Sequence, residues 1–255
     1  MTRPASPLPE LADHRIARLY VLDFGLFHVN AGRTIGIPGF LLETARGARI
    51  LIDTGFPDAY ASDPAIAERD CLPRFGHLID HSHDRTLAGQ LALLGLRPAD
   101  ITATILTHSH IDHVGSLPHV AHAPIVMMEA ERAEPHPLYF GSVRPMDWPE
   151  ADYRLIAAEG PLCHGLTLIP TPGHTVGHLS LLVTLADTGP ILIAADAINR
   201  ASEPAEGFPD ADDPETARRS AERLFALERD LAAWLLWGHE PTQWPELLKA
   251  PAFYA

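Results

Sequence analysis

Thr107-His108-Ser109-His110-Ile111-Asp112-His113 follows directly on the apolar run Ile101–Leu106. A short β-branched run of that kind reads as a buried strand. Four side chains able to ligate a metal therefore stand at a strand end, within six residues of one another. Neutral imidazole and carboxylate suit Zn, Mn, Fe or Co. His108 and His110 are two apart, so in extended chain they project to one side. Asp112 and His113 continue into a turn, and Gly115 allows tight backbone after them. Adjacent residues point differently, so one segment can serve two metals. A single histidine in a loop would ordinarily be a solvated side chain; four donors delivered by an apolar strand form a ligand cluster.

The same arrangement recurs downstream. Leu166–Pro170 leads to Thr171-Pro172-Gly173-His174, Ile191–Ala195 leads to Asp196, and Ala233–Trp237 leads to Gly238-His239. Loops at strand ends are where a rigid scaffold presents functional groups. Each piece alone reads equally as a loop histidine or a turn aspartate; the signal is the set.

Working outward, residues 1–14 read as a polar, proline-bearing tail and 15–255 as one domain. Strands are expected at Arg15–Asp23, Gly39–Thr44, Ala48–Asp53, Ile125–Met128 and Leu179–Thr184, with a turn at Ala45-Arg46-Gly47. Thr86–Leu94 has helical spacing and stops at Gly95. Asp213-Pro214-Glu215 starts a helix running to about Leu231, with Asp as N-cap and Pro at the first helical position. Residues 55–84 read as a long loop. Within it, residues 76–84 gather His77, His81 and His83 with Asp80 and Asp84, but no apolar strand delivers them, so they read as a solvated loop or interface. Residues 135–149 hold four prolines and read as an ordered loop. Strands in runs of two or three, separated by helices, favour layered α/β with mixed sheets.

Composition narrows the function. The chain has 255 residues, with 33 acidic and 19 basic side chains, a net charge of −14. That disfavours nucleic-acid or anionic-membrane partners, which require clustered Lys and Arg. Two cysteines, Cys71 and Cys163, cannot make a disulfide framework, and the N-terminus lacks the apolar core of a signal peptide. Cytoplasmic residence is the simpler expectation.

The HxHxDH motif at 108–113, Pro-Gly-His at 172–174, Asp196 and Gly-His at 238–239 resemble, in order and spacing, the two-metal hydrolases of the metallo-β-lactamase superfamily. Asp53-Thr54-Gly55 resembles the superfamily's early Asp-x-Gly turn. Ile50–Gly55, Thr171–His178 and Ala195-Asp196-Ala197 are most similar to the N-acyl homoserine lactonases, the quorum-quenching lactonases. The resemblance implies an αββα sandwich of two mixed sheets. It implies that His108, His110 and His174 bind one metal, that Asp112, His113 and His239 bind the other, and that Asp196 bridges them. Asp53 would support a ligand ring without ligating. Two divalent ions, zinc foremost, would turn a bridging water into the hydroxide that opens a lactone. Asp112 could pass a proton to the leaving group. The family has a tyrosine three residues after the bridging aspartate; here that position is Asn199, whose amide can donate to a carbonyl oxygen. Tyr139, Phe140, Trp148 and Phe208 are candidates for an acyl pocket. A homodimer is a family expectation. The competing expectations are a phosphotriester or thioester hydrolase at the same centre, a persulfide dioxygenase using one iron, and a non-catalytic metal-binding module.

Overall fold

The computed structural model describes residues 6–140 and 142–255. Strands β1 (Ile16–Val29), β2 (Arg33–Thr44), β3 (Arg49–Ile52), β4 (Gly76–Asp80), β5 (Ala103–Ile105), β6 (Ile125–Met128) and β7 (Tyr153–Ile156) form one sheet in the order β4-β1-β2-β3-β5-β6-β7. Strands β8 (Gly160–Cys163), β9 (Leu166–Pro170), β10 (Leu179–Leu185), β11 (Gly189–Ala195) and β12 (Trp234–Trp237) form the second, in the order β12-β11-β10-β9-β8. Both sheets are mixed. β1, β2 and β3 pair antiparallel while β3, β5, β6 and β7 pair parallel, and β12 lies parallel to β11 in an otherwise antiparallel sheet.

Alternation along the strands explains the layering, because successive side chains leave opposite faces of a sheet. Ile50 and Ile52 join the core between the sheets, where they meet Leu181, Val183, Ile191 and Ile193. Leu51, between them in sequence, faces the other way, into a core shared with Leu87, Leu91 and Val114. On the second sheet, Leu192 and Ala194 face outward onto Ala217, Ala221 and Leu224 of the helix Pro214–Leu231. Helix, sheet, sheet and helix therefore stack as the expected αββα sandwich. No helix among the described residues is long and apolar enough to cross a membrane.

The helix Pro214–Leu231 begins as its sequence dictates. Asp213 caps it by accepting the Thr216 N–H, and Pro214 occupies the first turn, where no N–H partner is needed. Two expectations change. Residues 6–14 are no free tail: Leu8 and Leu11 are buried in the core between the sheets, and residues 1–5 lie outside the described residues. The loop expected at 55–84 contains short helices at Ala59–Ser62 and Pro64–Arg69 and the edge strand β4. His77 lies on that strand, opposite His28 of β1, so the polar run of residues 76–84 is partly sheet.

Candidate metal centre

Five strands deliver the site from their C-terminal ends. β3 leads to Asp53, β5 leads through Thr107 to the histidine run, β9 leads to His174, β11 to Asp196 and β12 to His239. The chain turns sharply at two of them. Asp53 has φ +59° and Ala195 has φ +46°, left-handed values that a non-glycine residue adopts only when its surroundings hold it there.

All seven expected ligands come together, in two groups. His108, His110, His174 and Asp196 form one, and Asp112, His113 and His239 form the other. Asp196 joins them, one oxygen to each side. Its Oδ2 lies 3.3 Å from His174 Nε2 and 3.9 Å from His108 Nε2. Its Oδ1 lies 3.3 Å from both His113 Nε2 and His239 Nε2. Asp112 Oδ2 closes the second group, 3.4 Å from His239 Nε2 and 3.6 Å from His113 Nε2.

The ring orientations follow from hydrogen bonds on their far sides. His239 Nδ1 lies 2.9 Å from the Gly36 carbonyl oxygen. A carbonyl only accepts, so Nδ1 donates, and Nε2 is the nitrogen turned toward Asp196. His113 Nδ1 likewise donates to Asp53 Oδ2 at 2.8 Å. Asp53 also accepts the Thr107 N–H and hydroxyl, both at 2.8 Å, and the Thr107 hydroxyl touches His108 Nδ1 at 3.1 Å. Asp53, expected to support a ligand ring, thus contacts both His113 and the residue that opens the histidine run.

The donor atoms fit cations. His108 Nε2, His113 Nε2, His239 Nε2, Asp112 Oδ1 and Asp196 Oδ1 are buried without a hydrogen-bond partner. Orphaned buried polar atoms are costly, and here the lone pairs converge. Burial, with the charge of His113, holds His108 well below the ordinary histidine pKa, and burial with His174 does the same to His110. Burial also lowers His174. These three imidazoles are thus neutral and able to ligate. Burial works against charge on His113, but Asp112, Asp196 and Asp53 outweigh it and hold its pKa well above the ordinary value. Burial alone would raise Asp196; His239 and His113, foremost among its neighbours, outweigh it and keep the carboxylate ionised. A cation between such groups takes the place that protons would otherwise fill.

The two groups lie at a cleft of about 510 Å³. His110, Asp112, His174, Asp196, Asn199 and His239 line it on one side; Phe27, Val29, Ile35, Phe75 and Phe140 give it an apolar wall. Of the four aromatic candidates, Phe140 alone lines it. Tyr139 is fully buried beside it, its hydroxyl 3.2 Å from that of Tyr60, which in turn donates to Asp70. Trp148 donates to the Glu134 carbonyl and stacks with Arg132. Phe208 packs among Ile198, Ala217 and Leu235 beneath the second sheet. These three rings found core partners because the loops carrying them fold back onto the sheets. Phe27, Val29 and Ile35 were not singled out in the sequence; on β1 and β2 they join the outer core of the first sheet and also line the cleft, and their alternation was the available signal. Nor was Arg200, which lines the cleft while paired with Glu206 and Asp210. Asn199 lines the cleft, with its backbone N–H and its Nδ2 donating to Glu203.

Residues 37–239 match the model of the metallo-beta-lactamase superfamily. An N-acyl homoserine lactonase of a Bacillus species is 30% identical over 215 residues, 80% of this chain and 81% of that protein. The N-acyl homoserine lactonase AttM of Rhizobium radiobacter is 30% identical over 268 residues, 93% of this chain and 98% of its own length. The chain belongs to the metallo-beta-lactamase superfamily, in its N-acyl homoserine lactonase family. A solved N-acyl homoserine lactone hydrolase, with N-hexanoyl-L-homoserine at its catalytic metal centre, superposes on this family member with a TM-score of 0.83 at 23% identity. That superposition covers 94% of this chain and all of the other, and shows that the sandwich is the family's fold.

Proposed function

We propose that the protein is a metal-dependent lactonase that opens the ring of N-acyl homoserine lactones, with two divalent cations, zinc foremost, held by the two donor groups. The observation that carries this reading is Asp196, whose two oxygens face two complete donor groups at the foot of a cleft with one apolar wall. Relatives aligned over four-fifths or more of the chain are named for this activity. Complete ligation on both sides favours a dinuclear hydrolase over a centre with one iron.

Bound there, two dications would acidify a water toward neutral pH and polarise the lactone carbonyl. The chain's own residues supply the rest. His108, His110 and His174 hold the first ion, and Asp112, His113 and His239 the second. The apolar wall of Phe27, Val29, Ile35, Phe75 and Phe140 excludes water and packs the acyl chain, with the ring toward Asp196. When the ring C–O bond breaks, the leaving oxygen takes a proton. Asp112, whose Oδ1 has no protein partner, is the group we assign to carry it. Asn199 stands beside Asp196 in the cleft lining; its carboxamide turns from Glu203 to donate to the substrate carbonyl.

Ring opening releases an acid, so a pH indicator reads it directly. With a panel of N-acyl homoserine lactones at neutral pH, the protein turns over and His110→Ala does not. Two ions bound with no lactone turnover would overturn the substrate assignment and direct the assay to phosphotriesters and thioesters.

A further inference from the structure

Glu131 follows β6 in the short helix Glu129–Arg132 and is fully buried. No cation among the described residues pairs with it. A buried carboxylate in that position is costly unless its lone pairs are met. They are met by four donors from two loops. Oε1 accepts the Ser109 N–H at 2.8 Å and the Ser109 hydroxyl at 2.6 Å. Oε2 accepts the Thr175 hydroxyl at 2.8 Å and the Gly177 N–H at 3.0 Å. Each oxygen thus takes one loop.

The identity of those loops gives the contact its meaning. Ser109 stands between His108 and His110, and Thr175 follows His174. The four hydrogen bonds tie together the two segments that carry the three histidines of the first donor group. The approach is close: a Cβ on Gly177 would sit 2.3 Å from the Glu131 backbone nitrogen. Ser109 extends the connection, accepting the Leu138 N–H on its hydroxyl and the Tyr139 N–H on its carbonyl, next to Phe140 of the cleft wall.

We propose that Glu131 is the positioning residue of the first metal site: it sets the spacing of the 108–110 and 174–177 loops, and with it the affinity of the site built from His108, His110 and His174. The second site has its own support in Asp53 and does not depend on Glu131. This inference rests on the two-metal reading above.

Glutamine at 131 keeps the volume but has one acceptor oxygen. Its NH2 must face the donors of one loop, which pushes that loop away. Thr175→Val removes a single donor at nearly constant shape. The test is equilibrium dialysis of the full chain against zinc, measuring ions per chain and the affinity of each. Glu131→Gln and Thr175→Val are each compared with the unsubstituted protein, alone and with His239→Ala, which leaves the first site as the stronger one. The expected result is that Glu131→Gln weakens one ion of two by about 10- to 100-fold, that Thr175→Val weakens the same ion less, and that both effects persist with His239→Ala. Should Glu131→Gln fail to fold, Thr175→Val carries the test. Two ions held at unchanged affinity, or both weakened alike, would overturn the inference alone. Fewer than two ions on the unsubstituted protein would overturn the two-metal reading, and this inference with it.

Discussion

Asp53 Oδ2 lies 2.8 Å from His113 Nδ1 across 60 residues of sequence, and that contact aims His113 Nε2 at Asp196 and Asp112. The same carboxylate holds Thr107, the residue that opens the histidine run. Asp53 is itself held at φ +59°. Asp53→Ala leaves the His113 ring free to turn. The expected loss in zinc affinity at the second site is about 10- to 100-fold, read by competition with a chromogenic chelator. An unchanged affinity would mean that the ring is held by packing alone.

Asp112 has one oxygen facing His113 and His239 and another without a partner. If it carries the proton to the leaving oxygen, Asp112→Asn lowers kcat by roughly 10²- to 10⁴-fold with a smaller change in KM. The rate is compared across pH at matched metal content, because the same residue belongs to the second donor group. A kcat loss fully explained by lost metal would remove the proton-transfer role.

Gly173 precedes His174 at φ +132°, and a Cβ there would sit 2.2 Å from the Ala217 backbone nitrogen. The opposing atoms belong to the backbone of the helix Pro214–Leu231, whose Ser220 also donates to the Pro172 carbonyl. Neither partner can give way cheaply. Gly173→Ala is expected to cost roughly 2–4 kcal/mol in urea unfolding and to reduce metal binding by displacing His174.

Glu203 is buried beside Asn199, and burial pushes its pKa up to about 7 from the ordinary 4.5, although the Asn199 N–H and Arg200 pull the other way. The folded chain keeps this proton where the unfolded chain has lost it. The contribution to stability is therefore fully present below about pH 4.5 and is lost as pH rises through about 7. Glu203→Gln removes the titration. In metal-free protein, the unsubstituted chain should lose stability relative to Glu203→Gln over that window, by at most about 3 kcal/mol. Parallel pH profiles from urea unfolding would contradict it.

The two donor groups were legible because their signal is local: donor residue types placed at the ends of apolar strands, which the fold then gathers. Three strands were not. β4, β7 and β8 are all sheet edges, and an edge strand needs less apolar surface than a central one. β4 in particular runs Gly76-His77-Leu78-Ile79-Asp80, which reads as a polar loop until β1 pairs with it. Glu131 was hidden for a different reason. Glu129-Ala130-Glu131-Arg132 has the composition of an exposed helix, and only loops 22 and 44 residues away make its carboxylate a buried hub. Tyr139, Trp148 and Phe208 misled because aromatic residues in loops suit a pocket and a core equally, and the path of the loop decides.

The most direct test of the account is a metal titration of lactonase activity. Protein stripped by a chelator is reloaded with zinc in steps, and hydrolysis of an N-acyl homoserine lactone is followed by proton release. Activity absent from the stripped protein and rising to a plateau at two zinc ions per chain is the result that the bridging geometry of Asp196 predicts. Full activity without metal, or a plateau at one ion, would contradict it.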